Sequence, residues 1–194
     1  MAHGASGTLL VLGDSLSAGY GVPTGQGWVT LLQKRLDQTL SARWTVVNAS
    51  ISGETTDGGL RRLPGLLEQH HPDVVLIELG GNDGLRGFPP SVITDNLTRM
   101  IKLCRQAGAR VLLAGIQMPP NYGPGYTRAF AAIYPTLAQS LSTSLVPFIL
   151  DGIYDRPELM QGDAMHPNAE AQPRLLDNVW PVLKPMLTST TAAS

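Results

Sequence analysis

Three largely apolar runs constrain this chain more than any other feature: Thr8-Leu9-Leu10-Val11-Leu12, Asp73-Val74-Val75-Leu76-Ile77-Glu78-Leu79 and Arg110-Val111-Leu112-Leu113-Ala114-Gly115-Ile116. None alternates with polar residues, and each meets a glycine at or near its end: Gly13, Gly80 and Gly115. A continuous apolar run bounded this way reads as a strand buried on both faces, the pattern of a parallel sheet. Between the runs, apolar residues recur at helical spacing. Trp28, Leu31, Leu32, Leu36 and Leu40 mark one helix, and Leu60, Leu63 and Leu67 a second. Ile93, Leu97, Met100, Ile101 and Cys104 form a third stripe, Phe130, Ile133, Tyr134, Leu137 and Leu141 a fourth. Leu175, Leu176, Val179, Val182 and Leu183 close the chain. Two shorter β-prone runs, Trp44 to Val47 and Leu145 to Ile149, complete a strand–helix alternation. That alternation predicts an α/β fold of about five parallel strands with helices on both faces. Five strands are too few for a barrel of eight.

Local signals refine the reading. Pro64 is expected to kink or restart its helix, Pro135 to bend or divide another, and Pro181 to kink the last. Ser91 is the expected N-cap of the third helix and Gly108 its C-terminal stop. Pro147 places the last strand at a sheet edge.

At 194 residues the chain fits one domain, 1–194, with residues 1–7 and 188–194 expected as flexible ends. A net charge of -1 argues against a nucleic-acid partner or a polybasic membrane surface. The one cysteine, Cys104, excludes an internal disulfide and any Cys-x-x-Cys site, and its place in an apolar stripe makes it a core residue. No apolar run can span a bilayer, so stable membrane insertion is not expected. Residues 1–7 lack the basic and apolar parts of a signal peptide.

The chemistry lies in four polar stretches, each after an expected strand. Gly13-Asp14-Ser15 follows the first, so Ser15 sits where open parallel sheets bind ligands. Ser52-Gly53-Glu54 follows the second and Gly81-Asn82-Asp83-Gly84 the third. Asp163-Ala164-Met165-His166 closes a long loop. Phosphate-binding and dinucleotide glycine motifs, a zinc His-Glu-x-x-His and a Gly-x-Ser-x-Gly elbow are absent. An acyl-transfer set is present instead. Ser15 is the candidate nucleophile and His166 the base it needs. A three-residue spacing lets Asp163 turn back onto the imidazole and fix its tautomer. Gly53 can supply a backbone N–H, where a side chain would obstruct substrate, and Asn82 a side-chain amide to an oxyanion. Each stretch has a plainer reading, Asn82 as a turn residue tolerant of positive φ among them. His70 and His71 read as a solvated helix end. Glu78, a charge within a buried strand, reads as a hydrogen-bonded structural carboxylate. Leu85, Phe88, Met118 and Tyr122 sit in loops that could line an acyl groove.

These four stretches, in this order, resemble the four blocks of the GDSL, or SGNH, hydrolases. Asn48 to Gly53, Glu78 to Gly87 and Pro119 to Gly123 are similar to the bacterial multifunctional thioesterase/lysophospholipase subgroup. The resemblance covers Thr8 to about Leu187 and implies a flavodoxin-like three-layer α/β/α sandwich. It implies Ser15, Asp163 and His166 as the triad, and Ser15 N–H, Gly53 N–H and Asn82 as the oxyanion hole. It implies no metal or cofactor, and a small acyl ester or thioester as substrate. Members of that subgroup usually carry a signal peptide and work in the periplasm, so a periplasmic or secreted, monomeric enzyme is expected. Two rivals predict other behaviour: a carbohydrate O-deacetylase of the same superfamily, and a non-catalytic flavodoxin-like binding domain.

Overall fold

A computed structural model describes residues 6–40 and 43–188. The first apolar run is strand β1 (Gly7–Gly13), which passes through Asp14 into a one-turn helix α1 (Ser15–Ala18). Helix α2 (Trp28–Thr39), strand β2 (Trp44–Asn48), helix α3 (Thr56–His70) and strand β3 (Val74–Glu78) follow. A short helix α4 (Gly81–Leu85) stands where a turn was expected, and α5 (Pro90–Gln106) and β4 (Arg110–Ala114) come next. The chain ends through α6 (Pro124–Ala131), α7 (Ile133–Ser140), β5 (Ser144–Val146) and α8 (Gln172–Thr188).

All strand pairs are parallel, in the order β2-β1-β3-β4-β5. This is the flavodoxin-like order, and its direction reverses between β1 and β3. The two faces of the sheet are filled by alternate residues of each strand, as a period of two requires. Leu9 and Val11 of β1, Val74 and Leu76 of β3, and Leu112 and Ala114 of β4 pack with α2 and α8. Leu10, Leu12, Val75, Ile77, Val111 and Leu113 pack against α3, α5, α6 and α7 on the other face. Both layers are dry, and full burial of each such side chain contributes about 1.5–3 kcal/mol. That is why no polar residue stands at these positions.

Several local expectations change. Helix α3 is unbroken through Pro64, and α8 is unbroken through Pro181 and Pro185. Pro135 does divide its segment: α6 ends at Ala131 and Pro135 falls in the first turn of α7, where its missing N–H costs nothing. Pro89 is the N-cap of α5 and Pro90 its first residue, so Ser91 lies inside the helix. Ala107 is the C-cap and Gly108 follows it at φ +83, the usual place for a terminating glycine. Strand β5 is an edge strand, but Pro147 lies just beyond it rather than within it. Cys104 is buried in the α5 stripe, and burial pushes its thiol up to about 12. His70 ends α3, and His71 is its left-handed cap at φ +43. Of the expected flexible ends, Gly7 opens β1 and Thr188 closes α8, while 1–5 and 189–194 lie outside the described residues.

Candidate active site

The reversal of strand order leaves a crevice at the carboxyl ends of β1 and β3, because the connections that follow them leave on opposite faces. Four loops converge there. Asp14 ends β1, and its Oδ1 accepts the Leu16 N–H at 3.0 Å, capping α1. This sets Ser15 at the first position of that helix, where its own N–H has no intrahelical acceptor. The loop after β2 is pinned to the end of β1 by Ile51 N–H to Gly13 O at 3.0 Å. Within it Gly53 adopts φ +80, and a Cβ there would meet nothing within 4 Å of the protein. Backbone conformation, not crowding by the fold, is what requires glycine at this point.

The loop after β3 is α4. Gly80 at φ +119 turns the chain into it, and Asn82 lies in its helical body, not at positive φ. The reading of Asn82 as a left-handed turn residue is therefore overturned. Asn82 Nδ2 donates to Asp14 Oδ2 at 3.1 Å and to the Glu54 carbonyl at 3.0 Å. Both partners are acceptors, which fixes which end of the amide faces them. Next to it, fully buried Asp83 accepts the Thr56 N–H at 2.9 Å and Thr56 Oγ1 at 2.5 Å. Arg62 pairs with Glu54 at 3.0 Å. The second and third loops are thus tied to each other and, through Asp14, to the first.

The fourth loop comes from the other side of the crevice. His166 Nε2 lies 3.0 Å from Ser15 Oγ, across 151 residues of chain. His166 Nδ1 lies 2.6 Å from Asp163 Oδ2, whose other oxygen accepts the Met165 and His166 N–H groups, each at 3.0 Å. Ala164, at φ +53, makes the tight turn that folds Asp163 back. The hydrogen bonds from His166 and its neighbours hold the Asp163 carboxyl well below the usual carboxylate range, so it stays ionised. Tyr20 leans on the imidazole with ring centroids 4.6 Å apart. Gln161 clamps the two loops together: its Nε2 donates to Tyr20 O at 2.7 Å and Pro167 O at 2.9 Å, and its N–H to His166 O at 2.7 Å.

Ser15, Gly53, Asn82, Asp163 and His166 all line one cleft of about 510 Å³. Its walls are chiefly apolar, built by Leu85, Ile116, Met118, Phe148, Leu150, Tyr154, Met160 and Met165. Of the four loop residues expected to line a groove, Leu85 and Met118 do so. Tyr122 and Phe88 stand outside the lining. The Tyr122 hydroxyl donates to Leu85 O at 3.0 Å, and Phe88 packs against the α3–α5 side of the core. Met118 fits its place because Gly84 has no side chain: a Cβ there would stand 2.4 Å from Met118 Sδ. Sequence reading missed the far wall, from Phe148 to Met165, because it belongs to an irregular loop with no periodicity. It also missed Gln161 and Tyr20, for which no sequence signal existed. Asp83 and Glu78 did leave one, a charge beside a buried run.

Comparison with known proteins finds close relatives along nearly the whole chain. Residues 11–173 match the GDSL-like Lipase/Acylhydrolase family. The chain is 56% identical over 184 residues to esterase TesA of Pseudomonas aeruginosa, covering 94% of this chain and 90% of that protein. It is 47% identical over 183 residues to thioesterase 1/protease 1/lysophospholipase L1 of Escherichia coli K12, covering 94% and 86%. A crystal structure of TesA superposes with a TM-score of 0.88 at 56% identity, over 92% of this chain and 99% of that one.

Proposed function

The chain belongs to the GDSL-like lipase/acylhydrolase family, and from that premise we propose a serine esterase and thioesterase that works through an acyl-enzyme on Ser15. The observation that carries this reading is Ser15 Oγ 3.0 Å from His166 Nε2, with Asp163 2.6 Å behind the ring, at the mouth of an apolar cleft. Serine attacks only when a base takes its proton, and a neutral imidazole with Nδ1–H held by Asp163 presents Nε2 for that purpose. Ser15 Oγ bonds to the acyl carbonyl carbon as His166 receives the proton. The bond to the leaving oxygen or sulfur then breaks, and His166 returns the proton to it. Water attacks the acyl-enzyme, His166 takes the proton of that water, and Ser15 recovers its hydrogen as the acid leaves.

The tetrahedral oxyanion is met by the Ser15 and Gly53 N–H groups and by Asn82. Among the described residues neither backbone donor meets a protein acceptor, whereas the Asn82 amide already serves Asp14 and Glu54, so it shares its protons with the oxyanion. The hydrogen-bonded triad disfavours a mere binding domain, and the apolar walls disfavour a carbohydrate O-deacetylase. They favour acyl chains, the substrates implied by relatives named esterase and thioesterase/lysophospholipase. We read the chain as one domain, since the triad and the cleft are complete within it. Its resemblance to the thioesterase/lysophospholipase subgroup supports a periplasmic or secreted setting. Among the described residues no helix is long and apolar enough to cross a membrane.

A fluorophosphonate tests the assignment. It is expected to add once, at Ser15, and to leave a folded Ser15→Ala protein unlabelled. Labelling at Ser17 or Ser52 would overturn it. A series of p-nitrophenyl esters and acyl-CoAs of rising chain length reads the substrate class directly.

A further inference from the structure

Beneath the nucleophile lies a pair of buried acids that the mechanism above does not use. Glu78 ends β3 and is fully buried, and Asp14 ends β1 at 3% exposure. The two strands pair with Gly13 opposite Glu78, which sets the Glu78 carboxyl against the Asp14 backbone at the switch point, where the two charges oppose each other. The Asp14 N–H lies 3.4 Å from Glu78 Oε2, and Ser17 Oγ lies 2.7 Å from the same oxygen. No ion pair among the described residues gives either acid a cation. Two carboxylates that close, buried and without a cation, do not both ionise.

Their surroundings decide which keeps a proton. Asp14 receives two good donors, Leu16 N–H at 3.0 Å and Asn82 Nδ2 at 3.1 Å. Glu78 has the Ser17 hydroxyl and weaker contacts from the Asp14 and Ser17 N–H groups, and its Oε1 is buried without a partner. An orphaned oxygen is tolerated on a neutral acid and far less on an anion.

We propose that Asp14 and Glu78 share one proton, that it resides on Glu78, and that the Asp14 charge thereby kept is a positioning device for catalysis. An ionised Asp14 is acceptor only. It holds the Asn82 amide nitrogen toward the oxyanion site and caps the turn that carries Ser15. A protonated Asp14 loses the charge that strengthens its bond to Asn82, and the Glu54 carbonyl alone then holds the amide nitrogen firmly.

The groups facing the pair are few. Asp83 of α4 opposes the Asp14 charge, and His166 favours it only when the imidazole is protonated. Tyr134 of α7 faces both acids, its hydroxyl donating to Leu79 O at 3.0 Å. Burial, above all, raises Asp14 to about 6, and burial together with the neighbouring Asp14 charge raises Glu78 well above its ordinary value. The order agrees with the orphaned oxygen on Glu78.

This inference rests on the proposed oxyanion role of Asn82, and its tests separate the two. Infrared spectra of wild-type protein carrying ¹³C-glutamate are expected to show a protonated carboxylic acid at neutral pH, absent from Glu78→Gln. The Asn82 side-chain amide resonances are expected to move through one step near the Asp14 value. Asp14→Asn is expected to lower kcat at least tenfold and by no more than the ~10²–10³ that loss of an oxyanion donor costs, with KM within about twofold. In that variant the Glu78 band should titrate at lower pH. A fully ionised Glu78 at neutral pH, a flat Asn82 response, or an unchanged kcat in Asp14→Asn overturns the proposal. If the glutamic acid band is present but Ser15 is unlabelled by fluorophosphonate, the fault lies with the serine-hydrolase reading instead.

Discussion

At the scale of single residues, Asn82 carries the sharpest choice. Its amide holds two loops together and lines the cleft with Ser15, where we propose that it meets the charge developing on the substrate. The two roles leave different marks. A donor to the oxyanion acts on the transition state, so its loss lowers kcat far more than it changes KM. Because Asn82 is helical and not at positive φ, glycine gains no backbone relief here. Asn82→Ala and Asn82→Gly are therefore both expected to lose about 10² to 10³ in kcat. Each should also cost some stability, about 1–3 kcal/mol, as Asp14 and the Glu54 carbonyl lose a donor. A large fall in melting temperature with kcat nearly intact would assign Asn82 to loop anchoring alone. The chain shows the type of residue needed at this site, an amide after a buried strand. It does not show that the amide is already engaged, because its partners lie 68 and 28 residues away.

At the scale of elements, the strand ends are what the chemistry depends on. Strand β4 hands over to Ile116, a wall of the cleft, through Gly115. Gly115 N–H donates to Val146 O at 2.8 Å, and Gly115 O accepts Ile149 N–H at 3.0 Å. A Cβ at Gly115 would stand 2.2 Å from the Pro147 carbonyl oxygen, a backbone atom with no rotamer to escape into. Gly115→Ala must push the edge segment after β5 away from β4. Overpacking of this kind typically costs about 1–3 kcal/mol, or roughly 2–12 °C in melting temperature for a chain of this size. Calorimetry measures it, and an unchanged melting temperature would mean that the edge segment yields freely. The same segment leads into Phe148 and Leu150, so long acyl substrates should be affected more than acetyl esters. The element pattern itself was legible because dry strands and amphipathic helices write their period directly into sequence. The fate of the prolines was less so. Pro64 was expected to kink or restart its helix and Pro181 to kink the last; neither interrupts its helix, because packing of Leu60, Leu63 and Leu67, and of Leu175 to Leu187, outweighs one missing hydrogen bond each.

At the scale of the whole molecule, the site sets stability against function. Asp14 is raised from an ordinary 3.8 to about 6, so the folded protein holds its proton to higher pH than the unfolded chain does. Stability from this group is greatest below about pH 4 and declines as pH rises through about 6. Asp163 runs the other way: its contribution is full above the ordinary carboxylate range and is lost only as pH falls through its lowered value. With the Asp163 side chain 43% exposed, solvent screens that second effect. The melting temperature of Asp14→Asn, relative to wild type, is therefore expected to rise between pH 4 and pH 7. A difference that stays flat or falls across this range would show that Asp14 carries no buried-charge penalty. Such a trade is common where a site needs a charge that the fold does not. What the sequence determined alone is everything governed by local period and order: five parallel strands, helices on both faces, and four polar loops at strand ends holding Ser15, Gly53, Asn82 and His166. Tertiary structure decided what depends on distance in space. It set Ser15 against His166 across 151 residues, closed the far wall of the cleft with an aperiodic loop, and pressed Asp14 and Glu78 together where two strands diverge. Burial and mutual charge are properties of the assembled site, and no spacing along the chain encodes them.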